Sequence, residues 1–333
     1  MTNPSRPAIW RYLLAARMLI VLVLLGIAST LMTGGQFAQL DNLVNVARQV
    51  SFEGLIAFGM TLVIVTGGID LSVGSLVALT GVVAALVMRS CLDASPTFAI
   101  TVGLLSGIAT GAAIGVSSGA IIARFAIPPF LVTLAVMLMA RGFAFILCDG
   151  QPVYELPESL ITLGRGFVFE DTFGSLLPVP VVVLLVAFAI FAILLGRTVF
   201  GRGVIAVGSN EEASRLAGIP VRRIKVLVYA ITGALCGLAG VLHVGKLMAA
   251  DPKVGDMWEL NVIAAVVVGG TSLFGGRGSM TGTLVGALII GVLNNSLNLL
   301  HVEHFWQKVV LGAVILAASL VDAVLRRLDT GQS

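Results

Sequence analysis

About ten runs of mostly apolar residues, most of them near the length that crosses a bilayer, follow one another along this chain. They occupy 12–32, 44–66, 69–88, 98–121, 130–148, 179–195, 226–248, 260–268, 281–300 and 309–325. A hydrocarbon core about 30 Å thick takes about 20 residues of helix, so the fold class that follows is an all-α polytopic membrane protein with 8–10 transmembrane helices. Composition agrees: 58% of residues are hydrophobic and 11% charged, against about 45–50% and about 25% in soluble domains. The run at 260–268 is too short to span alone, so either Gly269 and Gly270 extend it or it is a re-entrant piece. The first run carries Arg11 and Arg17 and lacks a small-residue cleavage site, which reads as a retained helix and not a signal peptide.

Positive loop charges stay on the cytoplasmic side. With ten spans and the N-terminus inside, Arg6, Arg11, Arg124, Arg277, Arg326 and Arg327 fall on inner segments, and both termini are cytoplasmic. Two loops fix this assignment. Segment 149–175 carries Asp149, Glu155, Glu158, Glu170 and Asp171 against Arg165 alone, whereas 197–225 carries six positive residues against Glu211 and Glu212. The net charge of +3 comes with no basic face clear of the apolar runs, so nucleic acid is not an expected partner. Cys91, Cys148 and Cys236 are too few and scattered for a disulfide framework or a Cys-x-x-Cys metal site.

The inner loop holds the clearest local signal. Ser209-Asn210-Glu211-Glu212 has the form of a capping box, Gly218 stands where a left-handed cap would end a helix, and Pro220 prevents continuation. The pattern predicts a helix of about two turns from 210 to 217, too short to persist without a surface to pack on. Such a helix rests on its own protein or anionic lipid headgroups, or docks a cytoplasmic partner. Gly67 to Ser75 is the second signal. Asp70 is the only charge between Glu53 and Arg89, and that run as one helix would reach roughly 52 Å, beyond the bilayer. It must break at the glycine pair, with Asp70 either capping a helix from Leu71 or facing a polar path.

Gly67-Gly68-Ile69-Asp70-Leu71-Ser72-Val73-Gly74 is echoed by Gly269-Gly270-Thr271-Ser272-Leu273-Phe274-Gly275-Gly276, both of the form G-G-x-x-L-x-x-G, as expected of a duplicated transporter. The second block lacks the Lys and Ser/Thr of a phosphate-binding loop, and Gly201 to Ala206 has no strand before it, so neither binds a nucleotide. Gly278, Gly282 and Gly286 suit close helix packing. Polar residues inside or at the ends of the spans include Glu53, Asn295 and Asp322; Asp70, Ser72, Arg141, Glu259, Asn261, Asn294 and Asn298 are the candidates for a translocation path. His301 and His304 sit at a helix end and are not read as a metal site, and no grouping of side chains suits catalysis. No cofactor is expected.

These blocks, with Pro128 to Leu134, Ala140-Arg141-Gly142 and Gly208 through Val221 to Lys225 and Tyr229, resemble the ribose-type monosaccharide permeases of ATP-binding-cassette importers, in the same order. The resemblance implies one transmembrane permease domain over 1–333 of type II-like architecture in the bacterial inner membrane. Segment 197–225 would be its cytoplasmic coupling loop. It further implies a cytoplasmic ATPase, a periplasmic sugar-binding protein and a second permease copy as partners, besides lipid. Ser209, Asn210, Glu211, Glu212, Ala213, Leu216, Gly218 and Ile219 would then engage the ATPase. Remote relatives carry branched-chain amino acids or nucleosides. An ion-coupled transporter using Asp70 or Asp322 is the competing class.

Overall fold

In the computed structural model, residues 9–168 and 176–330 are described, with side chains for 18–168, 176–303 and 305–320. Arg6, Glu170 and Asp171 lie outside the described residues, as do the side chains of Arg11, Arg17, His304, Asp322, Arg326 and Arg327. The chain forms α1 (Ile9–Met32), α2 (Leu40–Val65), α3 (Val73–Ser90), α4 (Pro96–Phe125), α5 (Pro129–Leu147), α6 (Ile161–Arg165), α7 (Val179–Arg197), α8 (Val199–Ser209), α9 (Glu211–Leu216), α10 (Val221–Leu247), α11 (Trp258–Val268), α12 (Met280–Leu299) and α13 (His304–Thr330). Among the described residues only isolated bridges join extended segments, Val153 with Ala250 and Phe167 with Pro178. Each apolar run of the sequence contains one helix. Seven of these helices, α2, α3, α4, α5, α7, α10 and α12, are long and apolar enough among the described residues to cross a membrane.

Helix α2 is the centre of the bundle. Every residue from Gly54 to Val65 is buried. Phe58 packs against Phe188 and Phe191 of α7, and Thr61 Oγ1 lies 2.6 Å from Thr283 Oγ1 of α12. A helix apolar on all sides belongs in the interior of such a bundle. The opposite holds for α1, α5, α7 and α13, which leave Leu31, Ile146, Ile190 and Leu316 more than half exposed, the faces that lipid tails cover. Side-chain caps set several starts: Ser95 accepts from Phe98 N ahead of Pro96, Thr198 from Gly201 N and Ser279 from Gly282 N.

The closest helix pair is α4 with α10, built on small residues at four-residue spacing. Gly107, Gly111 and Gly115 of α4 face Gly237, Gly233 and Tyr229 of α10, and a Cβ on Gly111 would overlap the Gly233 carbonyl. Lipid supplies no solvent force between helices, so such contact rests on backbone approach. Gly111→Leu is expected to separate the pair and strip the protein from the membrane fraction, checked by membrane abundance and protease resistance. Overpacking costs about 1–3 kcal/mol or more, and here the obstacle is backbone, which cannot rotate aside.

The short run at 260–268 is resolved as α11, 11 residues long. Helix α10 ends at Met248 in a left-handed conformation (φ 54). The following segment then turns back into the bundle: Ala250 exchanges backbone hydrogen bonds with Val153, and Gly255 packs backbone to backbone against Gly74 near the start of α3. Non-helical chain followed by a half-length helix thus covers the distance that one helix covers elsewhere. Irregular backbone at that depth is tolerated only inside protein or beside water.

Candidate functional site

At one end of the bundle α8, α9 and the start of α10 form a compact projection. The cap of α9 is Asn210, whose Oδ1 accepts from Ala213 N at 2.9 Å. This corrects the expectation for Ser209: that residue is the last of α8 and its hydroxyl donates to Ile205 O at 2.8 Å. Because α8 runs up to Ser209, its helical backbone leaves the hydroxyl facing its own preceding turn, and the extended residue able to cap is the next one. Helix α9 accordingly spans Glu211–Leu216, one residue shorter at each end than expected. Gly218 does end it at φ 79, with Ile219 N bonded to Ser214 O. Lys225 Nζ reaches Glu211 Oε2 at 2.7 Å and ties the projection to α10. Glu212, Ala213 and Gly218 are exposed, Ile219 is partly covered, and Leu216 is 86% exposed.

Directly beneath this projection the glycine blocks meet. Gly276 N donates to Val65 O at the end of α2, 2.9 Å. A Cβ on Gly208 would overlap that same carbonyl oxygen and lie 2.6 Å from Gly276 N, and one on Gly276 would lie 2.6 Å from Ser209 Oγ. The ends of α2 and of α8 and the loop after α11 therefore form one interlocked junction. The echo between the two G-G blocks recurs here as shared geometry shifted by one residue. Gly67 (φ 80) and Gly270 (φ 84) end α2 and α11 in equivalent left-handed turns, with Gly68 N bonded to Val63 O and Thr271 N to Val266 O.

A charged group gathers around Arg141. Arg141 lies twelve residues beyond Pro129 on α5, about 18 Å along the helix axis. Its half-buried guanidinium donates through Nη1 to Pro252 O (2.6 Å) and Val254 O (2.7 Å), pinning the re-entrant segment. Asp256, Glu259 and Asp251 face this charge. Glu259 Oε2 lies 2.6 Å from where a Cβ on Gly74 would stand, at the start of α3, where a helix favours negative charge. Asn261 Nδ2 donates to Glu53 Oε1 of α2 at 3.2 Å. Arg141 and Glu259 thus face one another, and Asn261, two residues along α11, meets Glu53.

The remaining path candidates sit elsewhere. Asp70 is 2% exposed and Ser72 1%. The Asp70 carboxylate accepts from Ser72 N (2.9 Å) and Ser72 Oγ (2.6 Å), while Thr133 Oγ1 of α5 accepts from Leu71 N. Asp70 therefore braces the turn before α3, which begins at Val73 and not at Leu71. Asn298 Oδ1 accepts from Gln307 Nε2 across the α12–α13 turn, and Asn294 is partly buried on α12. Asp251, Lys253 and Asp256 were not singled out by sequence reasoning, which placed them in an outer loop. The available signal was the length of α11: a half span requires its preceding segment to enter the bundle and bring its charges along.

The family described as "Branched-chain amino acid transport system / permease component" matches residues 42–319. The ribose import permease protein RbsC of Escherichia coli (strain K12) is 44% identical over 91% of this chain and 91% of its own. The L-arabinose ABC transporter permease protein AraH of Azospirillum brasilense is 38% identical over 97% of this chain and 91% of its own. A solved chain, described as a metal-chelate type ABC transporter in an inward-facing conformation, covers 96% of this chain and 99% of its own at 15% identity and TM-score 0.48.

Proposed function

Since this chain belongs to the ribose-type permeases of ATP-binding-cassette importers, a family of multi-pass membrane proteins that move sugars, we propose that it imports a pentose across the bacterial inner membrane. Similarity to both a ribose and an L-arabinose permease over nearly the full chain carries this reading. The sugar would arrive on a periplasmic binding protein, and a cytoplasmic ATPase would drive the cycle. Both termini and the α8–α10 projection would face the cytoplasm, consistent with Arg197, Arg202, Arg215, Arg222 and Arg223 around it.

Arg141, Asp251, Lys253, Asp256 and Glu259 would line the path. An ionised group at the bilayer centre costs about 2.5–3.5 kcal/mol on insertion scales, and Lys253 and Asp256 are exposed on this chain alone. That face therefore calls for water and for a second permease copy opposite it. The loop 197–225 would couple to the ATPase through α9, with Leu216 as its apolar contact. Leu216→Asp is expected to leave membrane abundance unchanged, because the side chain touches little of its own protein, and to reduce uptake at least about tenfold, a loss of about 1.4 kcal/mol in the docking free energy. Uptake by Leu216→Asp at the original rate would remove α9 from the coupling role.

The function itself is tested in proteoliposomes holding this chain with its ATPase and binding protein, using labelled ribose, arabinose, glucose and leucine. ATP-dependent accumulation of a pentose that needs all components is expected. Leucine accumulated in preference would favour the substrate in the family description, and accumulation by the chain alone would replace the ATP-driven reading with ion coupling.

A further inference from the structure

The centre of the bundle and the cytoplasmic-side junction are joined by α2, a single unbroken helix of 26 residues. Its last residue, Val65, accepts from Gly276 and packs against Gly208, two residues before the cap of α9. Twelve residues earlier, about 18 Å up the same helix, Glu53 accepts from Asn261 of α11. Its neighbour Phe52 stands edge-on to His243 of α10 (5.3 Å, 78°), which stands edge-on to Trp258, the first residue of α11 (5.3 Å, 80°). Glu259 follows Trp258 directly. The start of α11, which presents Glu259, is thus fastened to α2 by one polar bond and one aromatic relay.

We propose that Glu53 is a positioning residue for translocation: through Asn261 it ties the path-facing start of α11 to α2, whose other end is gripped at the Gly208–Val65–Gly276 junction. This rests on the ATP-driven import reading. Glu53 reaches the path-facing end of α11 through Asn261, two residues from Glu259. A rigid buried helix gripped at both points moves both together; with the Glu53–Asn261 bond cut, α11 keeps its backbone packing on α12, where Gly286 meets Ala265 O, but loses its hydrogen bond to α2. Energetic coupling of this kind needs a demonstrated link that both sites bias, and this hydrogen bond is a discrete one that can be cut.

The test uses the full importer in proteoliposomes with Glu53→Leu, Glu53→Gln and Asn261→Leu. Each carries a Tyr154→Cys reporter in a Cys91→Ser background, at a position 59% exposed and next to the Val153–Ala250 bridge, and its labelling by a maleimide is followed with and without ATP and vanadate. Glutamine keeps an oxygen that accepts from Asn261. The two leucine variants are expected to hydrolyse ATP within about twofold of the parent yet import about tenfold less sugar per ATP, inside the usual span for coupling between sites. They should also lose the nucleotide-dependent change in labelling, and Glu53→Gln should restore both. Leucine variants that keep the parent's transport ratio and labelling response would overturn the inference, as would Glu53→Gln failing as badly as Glu53→Leu. A parent importer whose reporter ignores nucleotide would instead count against the ATP-driven function itself, whichever sugar is used.

Discussion

Gly208→Val is expected to abolish uptake while the protein remains in the membrane. A Cβ at this position would occupy the space of the Val65 carbonyl oxygen and crowd Gly276 N. The substitution therefore breaks the Gly276–Val65 hydrogen bond as well as overfilling the site. Overpacking costs about 1–3 kcal/mol and the lost hydrogen bond about 0.5–1.5 kcal/mol. Together they disfavour the locked junction by about 3 kcal/mol, near a hundredfold in its population. Global insertion is spared, because the junction lies at the ends of α2 and α8 and the long spans pack through other faces. Gly208→Ala should fail nearly as badly, since the first carbon already collides. Gly196→Ala is the control: a Cβ there meets nothing within 4 Å, and uptake should be unchanged. Uptake assays normalised to membrane abundance decide the matter. Normal uptake by Gly208→Val would show that the junction opens freely during transport.

The apolar runs were legible because each helix in lipid must satisfy its own backbone, which forces a long uniform stretch of sequence. The Gly218 end of α9 was legible for a similar local reason, since only a left-handed residue closes that turn. The start of α9 was misplaced by one residue because Ser209 and Asn210 both cap well, and the choice between them depends on where α8 stops. Helix α8 itself was not foreseen; its glycines and arginines hide an 11-residue helix whose apolar side, Val204 and Val207, is covered by tertiary packing. Asp70 illustrates the deeper limit. A lone acid in an apolar stretch reads as a cap or a path group, and the bonds it makes with Ser72 N and Oγ follow from the turn before α3, which the fold sets. The charges around Arg141 were invisible as a group because only the fold brings Asp251, Asp256 and Glu259 to face a guanidinium more than a hundred residues away in sequence.

Arg141→Leu is expected to eliminate uptake, and for a reason distinct from the junction. Removing the guanidinium leaves the Pro252 and Val254 carbonyls without their donor, at about 1–3 kcal/mol for each buried group left unsatisfied. It also leaves Asp251, Asp256 and Glu259 without the positive charge they face. Leucine recovers at most about 1.5–3 kcal/mol of this by burying its side chain, less than the two carbonyls and three acids lose, so the re-entrant segment loses its anchor and uptake is normalised to membrane abundance. The segment then has no fixed shape at the depth where solute must pass. Arg141→Lys keeps the charge, but its side chain is one bond shorter and leaves the ammonium short of the position from which Nη1 serves both carbonyls. It should therefore hold one carbonyl at a time and retain partial uptake with a raised apparent KM. ATP hydrolysis should persist in both variants, because Arg141 lies far from α9. Initial rates across a range of sugar concentrations separate these outcomes, and wild-type kinetics in Arg141→Leu would place the path on another face of the bundle.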